Sequence, residues 1–120
     1  MTTNISHAFI IVVLLSSLSA CAVQRAQVAQ QARTELIGMS KAEILACAGA
    51  PVRSEKSDTF EVITYIGGGD SDGETLRYCE VTFVLTDNIV SKVNYSGRTG
   101  GLITKGEQCA FVVENCLSSP

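Results

Sequence analysis

Five cysteines (Cys21, Cys47, Cys79, Cys109 and Cys116) and a single histidine, His7, are the residues best suited by type to nucleophilic, redox or metal chemistry. Their spacing narrows the choice. No Cys-x-x-Cys pair occurs, so the chain carries neither a thioredoxin-like redox motif nor the paired ligands of a zinc knuckle. The acidic run Asp70, Asp72, Gly73 and Glu74 faintly suggests a calcium loop, but the full spacing of an EF-hand is missing. Gly67-Gly68-Gly69 lacks the Gly-Lys-Ser/Thr that would complete a phosphate loop. What remains is thiol chemistry of two kinds: cross-linking, or serving as the acceptor for a modification.

Cys21 stands apart from the other four. Between Met1 and Ala20 there is no Asp, Glu, Lys or Arg, and Ala8 to Leu15 is a continuous apolar run. That run is too short for a membrane span, which needs roughly 20 apolar residues. An apolar core of this length followed by small residues reads instead as a secretory signal. Leu18-Ser19-Ala20-Cys21 resembles the bacterial lipobox, a Leu and two small residues before a Cys. The resemblance implies that diacylglycerol is attached to the Cys21 sulfur, that cleavage follows Ala20, and that the new amine is acylated. Each buried methylene of such a lipid contributes about 0.8 kcal/mol, and two or more chains anchor stably. Ala22 in place of Asp after the Cys implies, by the same analogy, transfer to the outer membrane. The leader carries no Lys or Arg, only its amine and His7, which puts the start codon in question.

Two consequences follow from cleavage before Cys21. The only histidine leaves with the leader, which removes Ser-His-Asp and Cys-His nucleophiles and histidine metal sites. The remaining four cysteines are even in number in an oxidising compartment, which favours two disulfides over a four-cysteine zinc site. If the C-terminal segment is helical, Cys109 and Cys116 lie seven residues apart, or about 10.5 Å along the axis. A disulfide needs Cα atoms within about 7 Å. The expectation is therefore two bridges joining Cys47 and Cys79 to Cys109 and Cys116, each stabilising by roughly 3–4 kcal/mol. Which pairs with which is open.

The elements that must position these residues can be read along the chain. Residues 22–37 are rich in Gln and Ala with a weak apolar stripe through Val23, Ala26, Ala29 and Leu36; they form either a packed first helix or a tether. Ser40-Lys41-Ala42-Glu43 is a capping box for a second helix, with Ile44, Leu45 and Cys47 on its apolar face and Gly49 and Pro51 ending it. Phe60 to Ile66 reads as a strand, Gly67 to Glu74 as a turn, and Thr75 to Leu85 as an alternating strand. In the latter, Cys79, Val81, Phe83 and Leu85 share one face, opposite Tyr78, Glu80, Thr82 and Val84. Asp87-Asn88 suits a two-residue turn into a third strand, Ile89 to Tyr95. After a glycine-rich connection, Thr104 to Glu107 reads as a second capping box. The helix after it presents Cys109, Val112, Val113, Cys116 and Leu117 on one face.

The expected fold is thus α+β and two-layered: two N-terminal helices on a three-stranded antiparallel meander, plus a short C-terminal helix held by disulfides. Residues 1–20 are the signal peptide, 21–36 the lipidated tether or first helix, and 37–120 the periplasmic domain. Gly38-Met39-Ser40-Lys41-Ala42-Glu43, Leu45, Gly49-Ala50-Pro51 and Tyr65 on the following strand resemble the SmpA/OmlA/BamE-like family of small lipoproteins. The match covers roughly a third of the mature chain; the Cys-rich tail after Gly97 departs from the family pattern. The resemblance implies a helix–helix–three-strand fold serving outer-membrane β-barrel assembly or envelope integrity. The same fold is used by secreted inhibitors of β-lactamase, which bind protein through the sheet.

Composition excludes other classes. The 120-residue chain has 9 basic and 12 acidic residues, a formal charge of −3 and no basic block, which argues against nucleic acid as a partner. Trp is absent and aromatics are 6%, so no stacking platform for sugars accompanies any carboxylate pair. The reading is a non-catalytic interaction module without cofactor or metal, held at the periplasmic face of the outer membrane by its lipid and meeting a protein partner. An inhibitor or ligand-binding protein that uses the exposed sheet face is the alternative. Tyr65, Tyr78 and Tyr95 are the candidate interface residues, since Tyr is favoured at contact surfaces, although each also suits a half-buried strand position.

Overall fold

A computed structural model of the chain describes residues 2–69 and 77–117. Helix α1 spans Thr2–Glu35 and α2 spans Lys41–Ala48. Four strands follow: β1 Arg53–Lys56, β2 Glu61–Gly68, β3 Tyr78–Thr86 and β4 Ile89–Ser96. They form one antiparallel sheet in the order β1-β2-β3-β4. The tail is a short helix α3, Ala110–Val113, flanked by 3₁₀ turns at Glu107–Cys109 and Glu114–Cys116. The class is α+β as expected, with four strands rather than three.

The extra strand corrects the sequence reading. Every residue of β1, Arg-Ser-Glu-Lys, is exposed, so no alternating pattern marks it. Its backbone pairing to β2 holds it instead, with Arg53 opposite Thr64 and Lys56 opposite Glu61. β2 also runs further than expected, taking Gly67 and Gly68 into the sheet opposite Cys79 and Tyr78.

Side-chain alternation then decides the layers. Ile63, Tyr65, Val81, Phe83, Leu85, Val90 and Val93 are buried on the face covered by helices. In α1, Ala26, Ala29 and Ala32 are buried, as is Leu36 just past its end, so residues from Ala26 onward are a packed helix and not a tether. Small side chains along this seam let the helix lie close to β4 and the tail. Upstream, Phe9, Ile10, Ile11 and Val12 stand exposed on the same helix. Among the described residues no helix is long and apolar enough to cross a membrane.

The punctuation of α2 forms as expected. The Ser40 hydroxyl accepts the Glu43 N–H at 3.2 Å, and the Ser40 N–H donates to Glu43 Oε2 at 2.8 Å. Hydrogen bonds to it, from the Ser40 N–H first and the Ser40 hydroxyl second, hold the Glu43 carboxyl below its usual range. Ile44 is buried, but Leu45 points outward, so the apolar face is narrower than predicted. The helix stops at Gly49, whose φ of 83° and ψ of −159° lie outside the αL well in a region open to glycine alone. Asp87 and Asn88 take the tight turn with φ of 52° and 62°.

The second capping box does not form. Gly106, with φ of 93°, occupies the N-cap position and offers no side chain. Thr104 Oγ1 instead accepts the Gly101 N–H at 2.8 Å within the preceding loop, and the Glu107 side chain turns to Arg25 at 3.1 Å. A long-range charge partner and a local turn have outcompeted the cap.

Candidate functional site

One disulfide ties the tail to a helix and the other ties it to the sheet. Cys47 of α2 bonds Cys116, and Cys79 of β3 bonds Cys109, with Cα–Cα distances of 4.9 and 5.0 Å. Cys109 and Cys116 thus reach separate partners from one helical run, as the spacing requires, and Val112, Val113 and Cys116 are buried with Cys109. Close approach at Gly67 makes this docking possible, because a Cβ there would stand 2.5 Å from Val112 Cγ2. Cys21 is the one free thiol among the described residues and is exposed.

With helices α1 and α2 and the tail all on one side, the other face of the sheet is left open. Opposed pairs Val62 and Val84, Thr64 and Thr82, and Thr82 and Asn94 run across it. Arg53 reaches from β1 over β2 to Glu80 of β3 at 2.9 Å and also meets Glu55 at 3.5 Å. Ile66 and Tyr78 are exposed at the end of the sheet that β1 does not reach. The tyrosine ring lies against Gly97, where a Cβ would come within 2.8 Å of it.

The three candidate tyrosines are not brought together. Tyr65 is 4% exposed, packs edge-on against Phe83 with ring centroids 5.7 Å apart, and donates to the Gly49 carbonyl at 2.8 Å. Tyr95 donates to the Ala29 carbonyl of α1 beneath the Arg33 guanidinium, 5.7 Å from the ring centroid. Burial pushes both phenols up, Tyr95 to about 12. They join helix to sheet, and of the three only Tyr78 is exposed.

Sequence reasoning missed two polar contacts that fix the helical layer. The Lys41 ammonium donates to both Glu61 oxygens at 2.8 and 3.0 Å, and the Ser54 hydroxyl adds a third bond at 2.9 Å. Arg25 pairs with Glu107 and stacks 5.3 Å from the Phe111 ring centroid. Partners 20 and 82 residues apart share no local signal.

Among the described residues no group of three or more His, Cys, Asp or Glu is arranged to hold a metal. The faint calcium run at Asp70, Asp72 and Glu74 lies outside the described residues. The carboxylates of Glu61 and Glu107 are each held by a basic side chain, an arrangement that serves packing. Compared with known protein families, with characterised proteins and with solved structures, the chain matches none.

Proposed function

We propose that the chain is a lipid-anchored lipoprotein of the outer membrane, acting at the periplasmic face as a non-catalytic interaction module in envelope or barrel-protein assembly. The observation that carries it is the Leu18-Ser19-Ala20-Cys21 sequence placed five residues before Ala26, where α1 first enters a core stapled by two disulfides. The exposed apolar run ahead of Cys21 suits a removable leader, and the bridges suit an oxidising compartment. The Gly-Met-Ser-Lys start of α2, formed as a true capping box, is consistent with the family resemblance.

The test is crosslinking in intact cells followed by capture of a tagged full chain. Barrel-assembly components should be recovered, and their repeated absence would sink this role.

One observation favours a second reading, an inhibitor or ligand-binding protein working through the sheet. The open face is not lined by short polar groups alone: Val62, Ile66, Tyr78 and Val84 point outward from it. Crosslinkers at Ile66 and Tyr78 that capture a soluble periplasmic enzyme, with no barrel component, would decide for it.

A further inference from the structure

The end of the domain nearest Cys21 displays apolar side chains that the fold does not use. Leu102 is 102% exposed and Ile103 79%, the two most exposed large apolar residues described. They sit at the tip of a built turn. The Arg98 carbonyl accepts the Tyr78 N–H at 3.1 Å, the Thr99 carbonyl accepts the Gln108 N–H at 2.9 Å, and Thr99 Oγ1 accepts the Gly106 N–H at 3.0 Å. An unstructured loop would let such side chains fold back, whereas this one holds them out.

Position and charge both point to what covers them. Ile103 and Lys105 line a shallow groove with Val23, Ala26, Gln27 and Gln30 of α1. Cys21 is five residues before Ala26, about 7.5 Å along a helix. α1 is packed from Ala26 onward, so no slack separates the domain from Cys21. The segment 97–106 contains no Asp or Glu, and Arg98 and Lys105 flank the apolar pair, both exposed. Apolar tips flanked by basic residues suit the boundary between anionic headgroups and acyl chains, where such segments sit roughly 5–10 Å deep.

We propose that the Leu102–Ile103 tip is a second membrane contact. It inserts into the leaflet that holds Cys21, with Arg98 and Lys105 on the lipid phosphates, and thereby fixes which face the domain turns to the periplasm. This rests on Cys21 carrying lipid.

The chain contains no Trp, so a single substitution supplies a unique emitter. Full-length lipidated Leu102→Trp and Ile103→Trp are reconstituted into vesicles of phosphatidylethanolamine and phosphatidylglycerol, with and without brominated acyl chains. Phe60→Trp is the control: Phe60 is exposed beside the Asp87-Asn88 turn, at the other end of the sheet. Both tip variants should emit to the blue of the control and lose fluorescence to bromine, since an inserted side chain sits at the level of the acyl chains. The control should lose none. Tip emission as in water, without quenching, overturns the proposal, including the case where a protein covers the tip in cells. The mass of the Cys21 peptide tests the anchor separately. An unmodified thiol removes the reading beneath the proposal, and the tip then keeps its role only if the unlipidated chain still binds the vesicles and is quenched.

Discussion

Among single residues, Glu61 carries the most information. It sits at the start of β2 on the core side, and hydrogen bonds from Lys41 first and Ser54 second hold its carboxyl below the usual range. The folded carboxyl is the stronger acid, so the unfolded chain takes up the proton first as pH falls. This contribution is complete above the unfolded value, about 4.3, and is lost as pH drops through the folded one. Lys41→Met should cost about 0.5–1 kcal/mol near neutrality, since the ammonium is partly solvated. Urea unfolding from pH 6 to 3 checks it: the variant's stability should fall less steeply with acid than the parent's. An equal slope would mean the pair contributes nothing to acid sensitivity.

At the scale of elements, the two bridges differ in kind. Cys47–Cys116 closes a separation of 69 residues and Cys79–Cys109 one of 30. Loop entropy alone assigns them about 4.4 and about 3.6 kcal/mol. Packing reverses the order, because Cys79 and Cys109 are fully buried against β2 and the tail while Cys47 lies at the margin of the core. Cys79→Ala with Cys109→Ala leaves a void that adds about 1–2 kcal/mol, so this double variant should unfold at lower urea than Cys47→Ala with Cys116→Ala. The opposite order would show that loop length dominates. Much of this scale was legible beforehand. Ser40 and Glu43, Asp87-Asn88 and the alternation from Cys79 to Leu85 are local signals with local physics, and they formed as read. β1 was not legible, because an exposed edge strand of Arg, Ser, Glu and Lys is held by backbone pairing that leaves no apolar mark. The Thr104 cap failed because Gly101 and Arg25, neither within its helix, offered better partners.

For the whole molecule, the arrangement is two layers with one sheet face left open. Its edges are blunted by different means. β1 is short and charged, while the outer side of β4 is met by the α1–α2 linker: the Gly38 N–H donates to the Val90 carbonyl and the Val90 N–H to that of Met39. A sheet guarded at both edges is protected against pairing edge to edge with another chain. That the helical layer would include α1 as packed structure was undecided in the sequence, since an alanine stripe is equally at home in a solvated helix. The hydroxyl of Tyr95 and the Glu107–Arg25 pair settle it from far along the chain.

The two bridges knit residues 47 to 116 into one covalent circuit, and α1 lies outside it. The helix can therefore detach as a separate cooperative unit, swinging on residues 36–39, while the circuit stays closed. Native-state hydrogen exchange should show this hierarchy. Amides of residues 29–35 should exchange through an opening of lower free energy than those of residues 79–85. Equal values would mean that α1 leaves only when everything else does. A segment that opens first, at the end facing Cys21, makes the seam between α1 and the tail the earliest point of wear in a molecule otherwise closed by its own sulfur.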